Sequence, residues 1–345
     1  MEETYSESEA IRVEARLAER VRGLLRKYSL LNTRLKPKST EGGKYVVFPI
    51  VNSKKASSIL EDFDIPHEVV IDTFQAIKKA RRLRGPVKSY KVVGDIVVFS
   101  RRAGLPIDAY IEAAKKVLED NPRLKAAWLK METFGEERIP KLIHLAGAMK
   151  TETVAKEYGI YLAVDIAKAY YNPRLAAEHY RIAELVNDGE VVLDMFTGIG
   201  AFPLHIAKRK EAVVYGIDVN LEGLLLASKS MKINKKLKGI IILINADAGK
   251  LPFKIQFDRI IMNLPRNSKQ FLYQACKYVK DNGIIHIYLL TDYIEVELED
   301  IMKIMLKEDC KVQIEKVKKV LDYSPSQSIY VIDLRVKKNG ENTHE

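Results

Sequence analysis

A stretch near the middle of the chain has the residue types and spacing of a cofactor-binding loop. Residues 190–200 read Glu-Val-Val-Leu-Asp-Met-Phe-Thr-Gly-Ile-Gly, so a run that favours a strand ends at Asp194 and a glycine-rich turn follows. Gly198 and Gly200 carry no side chain, which lets a ligand approach the backbone closely. A helix-compatible run begins at Ala201. An open parallel α/β sheet presents a nucleotide pocket in this way, at the carboxyl end of its first strand.

Two kinds of cofactor could explain the sequence of this loop, a dinucleotide or S-adenosylmethionine. A dinucleotide fingerprint needs Gly-x-Gly-x-x-Gly, in which the third glycine allows the helix to pack against the strand. Pro203 occupies that third position, so a dehydrogenase is disfavoured. The other interpretation is an S-adenosylmethionine loop, in which Asp194 meets the amino-acid end of the cofactor.

The elements that position this loop alternate regularly along the chain. Near-continuous apolar strands are predicted over residues 212–219, 239–247 and 257–265, and helices over 221–233 and 270–279. Apolar strands that alternate with helices indicate a parallel sheet covered on both faces. The predicted fold class is therefore α/β, with a Rossmann-like parallel sheet.

Polar residues end the three further strands. Asp218 and Asp247 end the second and third strands, and the tripeptide Asn263-Leu264-Pro265 ends the fourth. Asp218 would accept hydrogen bonds from both ribose hydroxyls, and Asp247 would accept one from the adenine amino group. A single acid of this kind could instead be a helix-capping residue. Val219, Asn220 and Ala248 lie beside these acids in the sequence and are also expected to bind the cofactor.

This set of strand ends resembles the class I S-adenosylmethionine-dependent methyltransferase fold. Asn263-Leu264-Pro265 resembles the fourth motif of the amino-methylating branch, in which an Asn carboxamide and nearby carbonyls face the acceptor nitrogen. The best-known version is Asn-Pro-Pro-Tyr, whose aromatic residue stacks on an extruded base. Arg266 follows the proline here, so an exocyclic adenine amino group is a poorer candidate acceptor.

Composition and length limit the remaining possibilities. The chain has 345 residues, enough for two or three domains, and its net charge of +11 indicates a polyanionic partner. No apolar run approaches about 18 residues, so we expect no membrane span. The first residues are acidic and polar, the reverse of a secretory signal. Cys276 and Cys310 are too few for a disulfide framework or a cysteine zinc site. We expect a cytoplasmic monomer without a metal.

Two small α+β domains are predicted ahead of the sheet. The first, residues 1–75, combines a helix at 10–30, a strand at 44–51 and a helix at 56–63. It would dock RNA, or simply stabilise the chain. A basic linker at 76–90 follows, and residues 78–91 contain seven cationic side chains and no acid. Such a run is often a solvated surface, but phosphates would relieve its self-repulsion.

The second module, residues 91–167, is predicted to contribute to the active site. Strands are expected at 91–99 and 126–132 with a helix at 106–119 between them. A hairpin over 151–157 and 160–166 would turn at Tyr158-Gly159. The sheet domain would then occupy residues 168–340.

The segment that joins this module to the sheet contains a candidate helix start. It reads Tyr170-Tyr171-Asn172-Pro173-Arg174-Leu175-Ala176-Ala177-Glu178-His179-Tyr180-Arg181. Asn172 is a suitable N-cap with Pro173 at the first helical position. Glu178 would lie about one and a half turns into the helix, and its composition alone suggests a surface residue.

Three motifs taken together resemble the archaeal and eukaryotic tRNA (guanine(37)-N1)-methyltransferase family. They are Asn-Pro-Arg-Leu-x-x-Glu, the glycine loop and Asn-Leu-Pro, and the block at 136–147 matches another family motif. The resemblance covers about residues 130–290 by motif and most of the chain by layout. It implies a tRNA partner, methylation of the guanosine on the 3′ side of the anticodon, and an N-terminal domain that checks the tRNA elbow.

The resemblance also implies roles for single residues. Glu178 would take the N1 proton of guanine as general base. Arg138 would stabilise the charge that develops on O6. Asn263 and Pro265 would hold the guanine edge, and Tyr170 would pack near cofactor or base. His179 stands where an arginine is expected in many members, which leaves its cofactor contact open.

Other activities remain compatible with these motifs. A close archaeal relative could methylate carbon 7 of the tricyclic 4-demethylwyosine precursor at the same tRNA position, in addition to N1 or instead of it. An aminocarboxypropyl transferase of that pathway matches Asn-Pro-Arg-Leu-x-x-Glu less well. A catalytically dead RNA-binding protein is disfavoured because Asp194, Gly198, Gly200, Asp218 and Asn263 are all present.

Overall fold

The computed structural model describes residues 5–76, 87, 89–134, 139–251, 253–308, 310–324 and 326–338. The chain divides into two compact units, Met1–Arg82 and Leu83–Glu345. Most of the predicted linker at 76–90 lies outside the described residues. Within the described ranges, no helix combines the length and apolarity needed to span a membrane.

The first unit is a four-stranded sheet with two helices. Its elements are β1 (Tyr5–Glu14), α1 (Ala18–Lys27), β2 (Lys38–Ser39), β3 (Tyr45–Pro49), α2 (Ser53–Asp62) and β4 (Glu68–Gln75). The strand order is β2-β3-β1-β4, and all pairs are antiparallel. The helix predicted over 10–30 is wrong in its first part, since residues 10–14 belong to β1. Ile11 and Val13 are buried and alternate with polar residues, which is the period of a strand.

The second unit begins with a smaller α+β sheet. Its elements are β5 (Tyr90–Val93), β6 (Ile96–Ser100), α3 (Ile107–Asp120), β7 (Ala126–Phe134) and β8 (Ile139–Gly147), in the order β5-β6-β7-β8. The single strand predicted over 91–99 is wrong, because the chain turns at Gly94, whose φ is +55°. Asp95 fixes this turn by accepting hydrogen bonds from Lys150 Nζ at 2.8 Å and Thr153 Oγ1 at 2.7 Å.

A separate hairpin leads towards the main sheet. It consists of β9 (Glu152–Glu157) and β10 (Ile160–Asp165), which pair antiparallel. Tyr158 and Gly159 both have positive φ, 43° and 83°, as a tight two-residue hairpin turn requires. The predicted hairpin and its turn are confirmed.

The main sheet has seven strands. Its strands are β11 (Val191–Asp194), β12 (Val213–Asp218), β13 (Ile240–Asn245), β14 (Phe257–Met262), β15 (Val279–Thr291), β16 (Cys310–Asp322) and β17 (Ser328–Lys338). The helices are α4 (Ala176–Leu185), α5 (Ala201–Arg209), α6 (Leu221–Ile233), α7 (Leu272–Tyr278) and α8 (Ile294–Lys307). The order is β13-β12-β11-β14-β15-β17-β16, with β11 to β15 parallel and the last two strands antiparallel. The predicted α/β class is confirmed.

The order of the strands reverses beside β11. The chain proceeds from β11 outward to β12 and β13, and then returns to the other side of β11 with β14. Ligands of open α/β sheets bind in the crevice outside the carboxyl ends at such a switch point. Asp194 ends β11 and Asn263 follows β14, so the fold places the candidate site there.

The two cysteines are joined to each other, a pairing that was not predicted. Cys276 on α7 forms a disulfide with Cys310 at the start of β16, across 34 residues of sequence. One disulfide is not a framework, so that part of the prediction holds.

Candidate active site

The loop after β11 has the backbone that the glycines predict. Gly198 and Gly200 have φ of +52° and +80°, a region that glycine adopts without steric cost. A Cβ on Gly198 would meet nothing within 4 Å, so a ligand has room there. A Cβ on Gly200 would lie 2.9 Å from the Cβ of Ala227 on α6. The absence of a side chain at Gly200 therefore lets the loop pack against α6.

Asp194 carries a buried carboxyl group in which only one oxygen accepts a hydrogen bond from the described residues. Its side chain is inaccessible to solvent, and Oδ1 accepts a hydrogen bond from Phe196 N at 3.3 Å. Oδ2 has no hydrogen-bond partner among the described residues. Burial, together with the nearby charge of Asp218, raises the pKa of Asp194 to about 7. Such a group fits the cationic amino end of S-adenosylmethionine, since buried polar atoms normally have a partner.

Asp218 ties the glycine loop to the next strand end. Its Oδ2 accepts from Gly198 N at 2.7 Å, and its Oδ1 accepts from Asn220 N at 2.9 Å. Asn220 caps α6 by accepting from Gly223 N at 3.2 Å and donates to Lys168 O at 2.9 Å. Val219 is exposed between them. The structure thus brings Asp194, Gly198 and Asp218 together, while the side chain of Asn220 serves the helix start.

The third strand end is more open. Asp247 lies two residues past the end of β13, is exposed, and accepts a hydrogen bond from Gly249 N at 2.8 Å. Ala248 beside it is buried in the core. Both positions lie at the edge where an adenine would extend from Asp218.

The Asn263-Leu264-Pro265 segment is held from both sides. Ser268 Oγ accepts from Leu264 N at 3.2 Å and donates to Met262 O at 3.0 Å. Pro265 O accepts from Leu290 N on β15 at 2.9 Å. Asn263 itself is half-buried. These bonds present the Asn263 side chain from a fixed turn.

Glu178 is buried, contrary to its surface-like composition. Asn172 caps the helix start and Pro173 follows it, as predicted, through a short 3₁₀ turn before α4. The Glu178 side chain is 1% exposed and lies against β15, where Tyr288 Oη donates to its Oε1 at 2.8 Å. Met262 of β14 pairs with Ile287. Glu178 therefore lies against the strand that flanks the Asn263 segment.

Two cations keep Glu178 ionised. Arg181 donates to Oε1 from Nε at 2.9 Å and from Nη2 at 2.6 Å, and Lys318 Nζ donates to Oε2 at 3.0 Å. Burial by itself would raise the pKa of Glu178, but Arg181, Lys318 and Tyr288 outweigh burial and hold that pKa below its ordinary value. The group is thus a carboxylate at neutral pH.

The Arg181 side chain is the first link of a buried polar chain. Its Nη1 donates to Asp333 Oδ2 at 2.8 Å, and His286 Nδ1 lies 2.6 Å from Asp333 Oδ1. Arg259 Nη1 donates to His286 Nε2 at 2.7 Å and Arg259 Nε donates to Glu190 Oε2 at 2.9 Å. Because Nε2 accepts from Arg259, the proton on Nδ1 faces Asp333. Each charge in the chain is compensated by the next.

His179, predicted to contact the cofactor, turns to a second buried cluster. Its Nδ1 lies 2.8 Å from Glu157 Oε2, and His205 Nε2 lies 3.1 Å from the same oxygen. Tyr171 Oη donates to Glu157 Oε1 at 2.7 Å. Burial would raise the pKa of Glu157, but these three donors lower it to about 2. The three ligand atoms of Glu157, His179 and His205 lie within 4.8 Å of one another, a spacing that a metal ion could also use.

Of the two remaining predicted residues, Tyr170 is described by the structure and Arg138 is not. Tyr170 is 37% exposed, and Lys130 Nζ lies 5.7 Å from its ring centroid. Arg138 lies outside the described residues. Sequence reasoning missed Arg181, Tyr288, Lys318 and Asp333, although the position of Arg181 one turn after Glu178 could have indicated the ion pair.

A parallel sheet with a glycine loop after its first strand and acids at the next strand ends defines a class I S-adenosylmethionine-dependent methyltransferase. Residues 153–315 match the family model of the TRM5/TYW2 methyltransferase domain, and residues 10–58 match the tRNA methyltransferase 5 N-terminal domain. The chain belongs to the Trm5 family of tRNA (guanine(37)-N1)-methyltransferases. It is an enzyme, and its cofactor is S-adenosylmethionine.

Individual relatives support this assignment. The chain is 34% identical to Trm5b of Pyrococcus abyssi over 72% of this chain and 74% of that protein. It is 33% identical to Trm5b of Methanocaldococcus jannaschii over 95% of this chain and 98% of that protein. A solved complex of aTrm5 with tRNALeu shares 28% identity and a TM-score of 0.65, over 95% of this chain and 99% of that chain.

Proposed function

We propose that this protein transfers the methyl group of S-adenosylmethionine to N1 of guanosine 37 in tRNA. The observation that carries the proposal is Glu178, an ionised, buried carboxylate against the strand beside Asn263-Leu264-Pro265. The names of the two Trm5b relatives supply the substrate, and the tRNA complex of aTrm5 supplies the partner.

The chemistry needs a base because guanine N1 carries a proton. Its pKa is about two units above neutrality, so ionisation costs about 3 kcal/mol. Glu178 accepts this proton as N1 bonds to the methyl carbon. As this proton leaves, negative charge develops on O6, where the planar guanidinium of Arg138 stabilises it until the bond from N1 to the methyl carbon is complete. The cofactor supplies an electrophilic methyl group on its sulfonium sulfur.

The remaining residues bind and orient the two reactants. Asp194 and the backbone at Gly198 hold the amino-acid end of the cofactor, Asp218 holds the ribose, and Asp247 beside Ala248 holds the adenine. Asn263 and Pro265 position the guanine edge near the methyl group, where correct alignment supplies much of the rate. Tyr170 packs at the exposed side of this site.

The tRNA must bring its target base into a buried site. A base inside the anticodon stack cannot reach Glu178, so guanosine 37 turns out of the stack before transfer. The net charge of +11 favours this partner over a neutral one. Two exposed lysines on β16 flank Lys318, which contacts Glu178, and provide phosphate contacts; they are Lys316 and Lys319.

Mass spectrometry of tRNA transcripts tests this function. Unmodified transcripts with G37 are incubated with the enzyme and methyl-labelled cofactor, digested, and compared with matched transcripts that carry adenosine at position 37. We expect label in 1-methylguanosine at position 37 of the first set only. Label at another nucleotide, or label that appears only on carbon 7 of a tRNA carrying the wyosine precursor, would refute the proposal.

A further inference from the structure

The three side chains that donate the four hydrogen bonds to Glu178 differ in their burial and in their other contacts. Tyr288 is fully buried on β15. Arg181 is 14% exposed and is fixed on its other side by Asp333. Lys318 is 39% exposed and extends from β16, which among the described strands pairs only with β17. Lys318 is thus the donor that can leave without disturbing the core.

The donors are also divided unequally between the two oxygens. Oε1 accepts two bonds from Arg181 and one from Tyr288, which fills its accepting capacity. From the part of the chain that the structure describes, Oε2 accepts one bond, from Lys318. A proton arriving at Glu178 must therefore bind Oε2, the oxygen that Lys318 covers.

The surroundings of Lys318 attract a polyanion. Lys316 and Lys319 on the same strand are exposed. Lys316 pairs with Asp333, whose side chain contacts Arg181 of α4, so Lys316 and Lys318 lie on the face of the sheet that α4 covers. Arg174, next to the helix start, donates to Asp322 O at 3.1 Å and is exposed as well. An RNA phosphate at this edge competes directly for the flexible Lys318 ammonium.

We propose that Lys318 is a positioning residue that covers Glu178 Oε2 in the free protein and moves to a tRNA backbone phosphate when the substrate docks. The exchange replaces one ion pair with another and frees Oε2 for the guanine N1 proton. That proton passes to Oε2 as the bond from N1 to the methyl carbon forms and the carbon–sulfur bond breaks. The inference rests on the proposed function, because it takes Glu178 as the base.

Loss of the Lys318 contact also improves the base. Lys318 is one of the groups that lower the pKa of Glu178, so its departure moves that pKa upward, towards the pKa of guanine N1. Proton transfer between groups of closer pKa is less unfavourable. The carboxylate is thus kept ionised and covered until the substrate arrives.

The test compares Lys318→Met with Lys303→Met in the full-length protein. Lys303 is an exposed lysine on α8 that pairs with Glu299, so its loss removes the same charge away from the site. For Lys318→Met we expect the slope of log affinity for G37 transcript against log salt to fall by about 0.7–0.9, the contribution of one phosphate contact. Lys318→Arg, which keeps the positive charge, should restore the wild-type salt slope.

Two results would overturn the inference. A tenfold or greater fall in the saturated single-turnover rate would show that Lys318 stays on Glu178 during the reaction. An unchanged salt slope would show that Lys318 does not bind a phosphate. Lys318→Gln serves as the second variant if the Met variant unfolds. Wild-type product at N1 of G37 and its loss in Glu178→Gln are scored separately, so failure of the base assignment is distinguishable from failure of the Lys318 exchange.

Discussion

At the scale of single residues, two buried carboxyl groups of this enzyme have pKa values that are shifted in opposite directions. Asp194 has an oxygen without a partner in the described chain and a pKa raised by burial to about 7. Glu178 has four hydrogen bonds from Arg181, Tyr288 and Lys318 and a lowered pKa. Environments that push two pKa values apart usually mark different tasks. Asp194 suits a cationic ligand group, and Glu178 suits proton removal.

Asp194→Asn should raise the stability of the cofactor-free protein at pH 8 and weaken cofactor binding. The raised pKa means that the native state keeps a proton that the unfolded state has lost between pH about 4 and 7, so wild-type stability falls as pH rises through that window. The Asn variant lacks this loss. Thermal unfolding at pH 5 and pH 8 and titration calorimetry with S-adenosylmethionine measure both effects, and we expect at least about tenfold weaker binding.

The control for this variant is Asp292→Asn, since Asp292 is exposed. It should leave both the pH dependence and the cofactor affinity unchanged. If Asp194→Asn shows the wild-type pH dependence of stability and binds the cofactor normally, the role given to Asp194 is wrong.

The residues that could be predicted from sequence are those whose role depends on local order. Asp194, Gly198 and Asp218 follow from strand-end positions, and Asn172 follows from its place before a proline. The burial of Glu178 could not be predicted, because Tyr288 and Lys318 lie 110 and 140 residues further along the chain. Only the folded sheet brings those side chains to α4.

At the scale of elements, α4 presents successive residues to different partners. Glu178 contacts β15 and β16, whereas His179 contacts the β9–β10 hairpin through Glu157 and packs 4.7 Å from Phe202 of α5, centroid to centroid. The second cluster therefore fixes the helix that carries the proposed base. His179 stands where many relatives are expected to have arginine, and it shares the Glu157 Oε2 atom with His205.

Glu157→Gln should destabilise the protein by about 2 kcal/mol at pH 7, because hydrogen bonds to a buried charge are lost. The pKa of Glu157 is lowered to about 2, so its contribution is present above pH about 4.5 and is lost as the pH falls towards 2. The matched control is Glu152→Gln on the same hairpin, an exposed partner of Lys229, with an expected cost below about 1 kcal/mol. Urea unfolding measures both; equal costs would contradict the structural role of the cluster.

Elements were predictable where the apolar period was clear. The strands and helices of residues 190–262 follow the alternation that the sequence indicates. The predicted helix at 10–30 was wrong in its first part, and the single strand predicted at 91–99 was wrong, because each range contains a change of element. A strand precedes α1 in the first, and Gly94 reverses the chain in the second. Short polar turns of this kind leave little trace in hydrophobic periodicity.

At the scale of the whole molecule, the chain combines a strongly positive net charge with a division into two compact units. The small unit Met1–Arg82 has its own core around Ile11, Phe48 and Leu60, and the proposed cofactor-binding residues all lie in Leu83–Glu345. An accessory unit of a tRNA enzyme can thus add affinity without taking part in methyl transfer. This division predicts that binding and chemistry are separable.

Removal of residues 1–82 should leave cofactor affinity within about twofold and weaken tRNA affinity by about tenfold or more, as expected when one of two linked contacts is lost. The rate at saturating tRNA should change little. Filter binding and single-turnover kinetics measure these quantities, with a minimal anticodon stem-loop as the control RNA. If the truncated enzyme binds full-length tRNA as tightly as wild type, the docking role of residues 1–75 is wrong.

The central claim is that Glu178 removes the N1 proton of guanosine 37. Its most direct test is the single-turnover methylation rate of G37 transcripts by wild type, Glu178→Gln and the control Glu184→Gln, whose side chain is half-exposed on the same helix, from pH 6 to 9. We predict a loss of about 100-fold or more for Glu178→Gln, with cofactor affinity retained and the control unchanged. Wild-type rates for Glu178→Gln across this pH range would contradict the account.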